Sequence, residues 1–329
     1  MNLLGSIIAF SLLTLLALGI GASGNLSCIL TAVVPYVAFA VFLCGFVYRI
    51  LKWGSAPVPF RIPTTCGQAE SLPWIRREPL ENPSGAWSAA GRMALEVLLF
   101  RSLFRNTRVE MAGGRPVYGS AKWLWLFALL FHGSLLVVVL RHLRFFVEPI
   151  VPWIDALSAL DGFFEIGHPT LYLSDAALLL ALAFLFLRRV AAPRLRYLSL
   201  FTDYFALLLI AGVAATGLAM RHVFPADLNA VKTLSLGWVT LSPAAAGETG
   251  ILFSMHLCFV FTLMAWFPFS KLMHAGGVFL SPTRGQANDS RRRRHVNPWN
   301  APVKVHTYEE YEDEFRDKMK AAGLPLEKE

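Results

Sequence analysis

Charge is scarce in this chain. Asp, Glu, Lys and Arg make up 16% of its 329 residues and hydrophobic residues 55%, whereas soluble domains carry roughly 25% charged residues. That balance excludes a freely soluble globular protein and points to the membrane class. Cysteine is also scarce: Cys28, Cys44, Cys66 and Cys258 are scattered, with no CxxC, no CxxCH and no nearby histidine cluster. An iron–sulfur cluster, a structural zinc and a covalently attached c-type haem are therefore excluded from this subunit. Three of the four lie in apolar runs, where a thiol behaves as a small hydrophobe, and Cys66 lies in a polar segment; none is assigned a redox role. The opening MNLLGS lacks a basic residue and GASGN is a poor cleavage site, so the first apolar run reads as a span rather than a signal peptide. The net charge of +8 gathers in loops and a tail, and no nucleic-acid partner is needed to account for it.

What is present is long apolar runs. A bilayer core about 30 Å thick takes about 20 helical residues, and six segments meet or approach that: Leu3–Ile20, Leu30–Leu51, Trp123–Val147, Leu171–Leu187, Leu198–Met220 and Ile251–Leu272. The expected fold is all-α, an integral membrane helical bundle of about six transmembrane helices with a long cytoplasmic loop and a cytoplasmic tail. Lys and Arg set the orientation. Ten of them fall between Lys52 and Lys122, Arg188, Arg189, Arg194 and Arg196 follow the fourth segment, and Arg291–Arg294 follow the sixth. All three groups fall on one side, so that side is cytoplasmic and both termini lie there. Four regions follow: two helices over 1–52, a cytoplasmic loop over 53–122, a four-helix core over 123–280 and a tail over 281–329.

The loop begins with an extended stretch through Pro57, Pro59 and Pro63. After a candidate N-cap at Ser84, AWSAAGRMALEVLLFRSLFRNTR mixes leucines with Arg92, Arg101, Arg105 and Arg108, the pattern of an amphipathic helix in the cytoplasmic interface. Such a helix rests on lipid or docks a soluble partner. On the outer side PWIDALSALDGFFEIG reads as a short helix lying flat over a cavity. In the tail, Tyr308, Tyr311, Phe315 and Met319 share a face of an acid-rich helix, either solvated or binding a partner.

Histidine in hydrocarbon marks a site. His132 and His142 lie ten positions apart in the third segment, and His256 and His274 eighteen apart at the two ends of the last apolar run, ILFSMHLCFVFTLMAWFPFSKLMH. The two helices run antiparallel, so depth pairs His142 with His256 near the outer face and His132 with His274 near the inner face. Two histidines on each of two membrane helices is the arrangement that holds two haem b groups, one above the other. Ten residues of helix rise roughly 15 Å and eighteen roughly 27 Å. Eighteen residues make five turns and return to one face, while ten leave an offset of about 80°. Bis-histidine ligation leaves no open iron position, which suits electron transfer.

Around this core, Gly133, Gly276 and Gly277 are candidates for making room for a ring. Arg141, Arg144 and Lys271 are candidate propionate partners, with interfacial snorkelling as the alternative. His168, Arg221 and His222 at outer helix ends are candidates for a quinone site, where proton donors and acceptors are needed. His295 and His306 in the tail read as wetted surface residues.

The last five expected crossings, with the ten and eighteen spacings on the second and fifth, resemble the cytochrome b (gamma) subunit of respiratory nitrate reductase. That resemblance implies b-haem ligation by the same four histidines, in the same pairs. The additional N-terminal crossing, the loop with EVLLFRSLFRNTR and the RHLRFF at the second histidine of the third segment are similar to the related DsrM-type membrane cytochrome b of the DsrMKJOP complex linked to dissimilatory sulfite reductase. This second resemblance spans nearly the whole chain. It implies exchange of electrons with menaquinone or another quinone, a cytoplasmic iron–sulfur subunit resembling heterodisulfide reductase, further membrane and periplasmic subunits, and a place in sulfur metabolism. A nitrate-reductase-type subunit serving another reductase and a haem-free anchor or transporter are the alternatives.

Overall fold

The computed structural model describes residues 2–56, 67–162, 170–243, 250–281, 284–293 and 302–328. Helix α1 (Asn2–Ala22) contains no charged residue and is pinned at its start by Asn2 Nδ2 donating to the Ser199 carbonyl and Ser6 Oγ donating to the Phe201 carbonyl. A Ser23 cap starts α2 (Gly24–Ala32). Pro35, in the first turn of α3 (Val34–Gly54), lacks the amide that would continue α2 without interruption. The second expected span is thus a longer, jointed stretch, Gly24–Gly54.

In the loop, α4 (Ala86–Leu99) and α5 (Arg101–Arg105) stand where one amphipathic helix was expected, separated by Phe100 at φ 49° and ψ 47°. The cap is Gly85, not Ser84, whose side chain hydrogen bonds to Glu70 instead. The facing also differs from expectation. Arg92 and Glu96 are buried while Trp87, Leu98 and Leu99 point outward. The reason is polar satisfaction: Arg92 Nη1 donates to the Glu81 carbonyl at 2.6 Å, and Glu96 accepts from the Ser102 amide at 3.2 Å. The last two residues of that expected helix, Thr107 and Arg108, open a hairpin instead, β1 (Thr107–Ala112) antiparallel to β2 (Arg115–Ser120). Gly113 and Gly114, at φ +57° and +77°, supply the two positive-φ positions that tight hairpin turns require. The Pro57–Pro63 stretch and Cys66 lie outside the described residues.

Next come α6 (Lys122–His142), α7 (Pro152–Asp161) and α8 (Leu173–Ala191). A short α9 (Pro193–Leu198) turns the chain into α10 (Phe201–His222), and α11 (Leu228–Val239) precedes α12 (Ile251–Trp266). Phe163, Phe164 and Glu165 fall outside the described residues. Among those described, five helical stretches are long and apolar enough to cross a membrane: Asn2–Ala22, Gly24–Gly54, Lys122–Phe145, Phe201–His222 and Ile251–Phe269. The remaining expected crossing, the fourth, is α8, 19 residues long, with Asp175 in its first turn and Arg188 and Arg189 in its last.

Helices α1, α10 and α12 form one core, where Phe10 and Phe259 meet at 5.4 Å and a Cβ on Gly212 would lie 2.7 Å from Phe10. Helices α6, α8 and α10 form the other, with Phe127 stacked on Phe184 at 3.8 Å. Leu4, Leu12, Leu15, Val37, Phe39 and Leu43 face outward from α1 and α3, as lipid-facing residues do.

The last membrane stretch is not one continuous helix. After Trp266 come a 3₁₀ turn over Phe267–Phe269, extended Ser270, a second 3₁₀ turn over Lys271–Met273, and α13 (His274–Gly277). Pro268 removes a backbone donor and crowds the preceding turn, which ends the helix. Gly45 of α3 faces the break, and a Cβ there would lie 2.8 Å from Pro268 Cβ.

The tail does not leave the body at once. Asn288 N–H donates to the Pro83 carbonyl at 2.6 Å and Arg292 pairs with Glu70 at 3.3 Å, so residues 284–293 lie on the loop. Arg294, His295, Pro298 and Trp299 lie outside the described residues. Helix α14 (Tyr308–Ala321) follows, its buried Glu312 accepting from the amides of Glu327 and Lys328.

Candidate functional site

The four membrane histidines come from three places. His132 is midway along α6, His142 is its last residue, His256 lies in the second turn of α12, and His274 opens α13 beyond the break. The rings of His132 and His274 stand 5.8 Å apart between centroids at an interplanar angle of 87°. The break in the last stretch removes the expected five-turn alignment of His256 with His274, so the helical periodicity offered for that pair does not apply.

Each ring is held through Nδ1. His132 Nδ1 lies 2.8 Å from the Ala128 carbonyl, His142 Nδ1 2.7 Å from Val138, and His274 Nδ1 2.9 Å from Lys271. A carbonyl only accepts, so all three rings carry the proton on Nδ1. His256 Nδ1 lies 2.9 Å from Thr216 Oγ1, and the Thr216 hydroxyl has its own acceptor in the Gly212 carbonyl at 2.7 Å. The threonine oxygen therefore accepts from His256 Nδ1–H as well. Among the described residues none of the four makes a hydrogen bond through Nε2. A donor bond at one ring nitrogen with the other left as a lone pair is the arrangement of metal-ligating histidine.

These residues fit a haem. A two-histidine site suits an iron that brings its own equatorial donors. With metal–imidazole bonds of about 2.0–2.1 Å, two rings on opposite sides of one ion have centroids on the order of 6 Å apart; the His132–His274 separation falls there. A Cβ on Gly133 would meet nothing within 4 Å, whereas Cβ atoms on Gly276 and Gly277 would meet Phe46 and Trp53 at 3.0 and 3.2 Å. The last two glycines thus admit α3 rather than open space for a ring, contrary to expectation.

His132 is bracketed by two phenyl rings. Phe131 and Phe100 both stand 5.0 Å away, at 89° and 86°. At the other level Gly217 of α10 lies beneath His256, where a Cβ would be 3.5 Å from its Cε1.

The expected propionate partners are mostly committed elsewhere. Arg141 is buried, with Nε 3.0 Å from Asp161 Oδ2 and Nη2 2.8 Å from Asp175 Oδ1, and its guanidinium lies 3.6 Å over the Tyr172 ring. Lys271 Nζ is 2.8 Å from Asp203 Oδ1, with Arg189 3.6 Å from the other oxygen. Arg144 has its guanidinium 4.8 Å over Phe145. Of the quinone candidates, Arg221 Nε donates to the Thr170 carbonyl at 3.0 Å and stacks 4.1 Å from Tyr172, on which Arg141 also stacks. His222 is exposed. His168 lies outside the described residues.

The model of the nitrate reductase gamma subunit family matches residues 93–284. This chain belongs to that family. It is 46% identical over 274 residues to the Hdr-like menaquinol oxidoreductase cytochrome b-like subunit of Archaeoglobus fulgidus, covering 81% of this chain and 82% of the relative. The corresponding Archaeoglobus profundus protein is 44% identical, covering 80% and 81%. One subunit of the dihydromethanophenazine:CoB–CoM heterodisulfide reductase of Methanosarcina thermophila is 24% identical over 256 residues, 72% of this chain and 84% of that one. The family expected from the sequence is the one found, and the chain is a membrane redox subunit.

In this family member, sequence reasoning missed Phe100, Thr216, Tyr172 and the carboxylates on Arg141. Thr216 had a readable signal, a hydroxyl inside an apolar helix. The others depend on contacts between distant segments, which no local pattern announces.

Proposed function

We propose that this chain is the dihaem b subunit of a respiratory complex, exchanging electrons between menaquinone and a cytoplasmic iron–sulfur subunit of the heterodisulfide reductase type in dissimilatory sulfur metabolism. The observation that carries this reading is the set of four histidines held at Nδ1 with Nε2 left over, two of them already facing at 5.8 Å. The names of the Archaeoglobus relatives supply menaquinol and the Hdr-like partner.

His132 and His274 ligate the inner haem, and His142 and His256 the outer one. Haem iron, when bound, supplies reversible one-electron transfer. The Ala128, Val138 and Lys271 carbonyls and the Thr216 hydroxyl fix each ring and raise its basicity. Arg144 is the cation left for an outer propionate. Arg221 and His222 orient a quinone head group at the outer end, where the His222 imidazole holds or passes a proton. The basic loop, Arg188, Arg189 and the tail mark the cytoplasmic side, where the iron–sulfur subunit docks; further membrane and periplasmic subunits complete the complex.

Redox titration of single histidine variants tests this. His142→Ala and His256→Ala remove the same one of two b-type transitions, and His132→Ala and His274→Ala remove the other. Loss of different transitions within a pair overturns the ligand assignment, and purified protein lacking a b-type spectrum overturns the dihaem reading.

A further inference from the structure

The elbow between α4 and α5 touches the inner histidine pair. At Phe100 the chain enters the left-handed region, its amide still bonded to the Glu96 carbonyl at 3.2 Å and its own carbonyl accepting from the Phe104 amide at 3.0 Å. A bulky side chain is uncommon there because its Cβ crowds the following carbonyl. Glycine or asparagine makes the same helix stop without that crowding. The chain instead keeps an aromatic ring, and that ring lands edge-on to His132. Strain held at one residue by its surroundings is a pointer to function.

The surroundings do hold it. Trp125 Nε1 donates to the Leu99 carbonyl at 2.7 Å, and Phe104 packs on Trp125 at 4.8 Å and 67°, so both flanks of Phe100 are fastened to α6 about two turns before His132. Buried Glu96 bonds the Ser102 backbone amide and side chain, which fixes the first turn of α5. Arg101 and Arg105 both pair with Glu81, tying α5 back to the loop. Lipid contact explains none of this, since the outward residues Leu98 and Leu99 serve that purpose and Phe100 is turned inward.

We infer that Phe100 is a positioning residue for the inner haem: its ring and that of Phe131 clamp the His132 imidazole plane, and the elbow closes the cytoplasmic approach to that ligand. The inference rests on the dihaem reading above. The clamp keeps His132 perpendicular to His274, at 87°. Perpendicular axial imidazoles give low-spin ferric haem a strongly anisotropic paramagnetic resonance signal, which turns rhombic as the planes approach parallel. Shielding from water also disfavours the charged ferric form, so opening the elbow lowers the inner midpoint potential.

The test uses the full chain in membranes. Phe100→Leu keeps an apolar side chain and removes the ring edge; Phe100→Tyr keeps the ring; Phe104→Leu disturbs the same elbow at a residue that does not touch His132. The inner haem is identified as the one lost in His132→Ala. In Phe100→Leu the inner signal becomes less anisotropic and its midpoint falls, or the inner haem alone is lost, while the outer haem is unchanged and Phe100→Tyr behaves as the parent. Unchanged inner signal and midpoint in Phe100→Leu, or an equal shift in Phe104→Leu, overturns the inference. A parent protein without two b haems fails the dihaem reading itself, whereas a dihaem parent with an indifferent Phe100 fails only this step.

Discussion

Replacing Arg141 by methionine should destabilise the protein severely while leaving the proposed haem ligands in place. The side chain is 6% exposed and joins three elements: its own α6, Asp161 at the end of α7, and Asp175 in the first turn of α8. Asp161, 8% exposed, also accepts from the Ser174 amide at 2.8 Å and the Ser174 hydroxyl at 2.6 Å. Without the guanidinium, two carboxylates are left close together with no cation. Removing one partner of a buried ion pair costs about 3–5 kcal/mol, because the other charge stays buried. Loss of the Tyr172 stacking adds about 1 kcal/mol. At roughly 2–4 °C per kcal/mol for chains of 150–250 residues, the apparent melting temperature in detergent falls on the order of 10 °C, followed by tryptophan fluorescence. Adding Asp161→Asn and Asp175→Asn recovers most of the loss, since replacing a whole buried ionic group is often near neutral. The competing role, propionate binding, predicts the opposite pattern: a shifted outer midpoint with stability intact. A loss below about 1 kcal/mol, the range of exposed pairs, refutes the buried-network argument.

Thr216→Val removes the acceptor of His256 Nδ1–H, so the proposed outer haem should bind more weakly, by roughly 10–100-fold, and its midpoint should rise; Thr216→Ser preserves both, and haem titration reads the difference. Gly45→Val drives a Cβ into Pro268, now 2.8 Å away, and should cost about 1–3 kcal/mol by overpacking, visible as a lower melting temperature. Glu70 is held below the usual carboxylate range by the Ser84 side chain first, then by Arg77 and Arg292. Its lowered folded value means that its contribution is complete above the unfolded pKa and is lost as pH falls through the folded one. Proteolysis of the tail near Arg292 therefore accelerates only in acid, and Glu70→Gln shows the acid rate at neutral pH.

The membrane helices were readable because their signal is local. An uninterrupted apolar run such as Asn2–Ala22 needs no partner to identify it, and Lys122–His142 was bounded to within a few residues. Where the reading failed, a local pattern was carried past a residue that forbids it. Gly113-Gly114 is a hairpin turn signal, yet the amphipathic reading ran on as far as Arg108, which lies in β1. Leucine and arginine interleaved over Ala86–Arg108 gave the right kind of element for α4 but the wrong facing, because buried Arg92 and Glu96 answer to Glu81 and Ser102 rather than to water. Arg141 misled for a related reason: its partners lie 20 and 34 positions away in two other helices, and a snorkelling arginine looks the same in sequence.

Pro268 decides how the two histidine pairs fit together. On unbroken antiparallel helices, His132 and His142 differ in depth by roughly 15 Å and His256 and His274 by roughly 27 Å. If His142 is level with His256, His274 then overshoots His132 by roughly 12 Å, more than tilting one macrocycle comfortably spans. In the structure the His132 and His274 ring centroids lie 5.8 Å apart. The helix stops at Trp266, Ser270 turns the chain through an extended residue, and its hydroxyl caps the next turn by accepting from the Leu272 amide at 3.1 Å. Lys271, fastened to Asp203 at the start of α10, anchors the returning segment. On the proposed ligand pairing, the eighteen-residue spacing works because the helix is broken. Restoring it with Pro268→Ala should carry His274 away from His132, so the inner b-type transition is lost while the outer one, whose ligands precede the break, remains. Retention of both transitions in that variant would sink this account of the spacing.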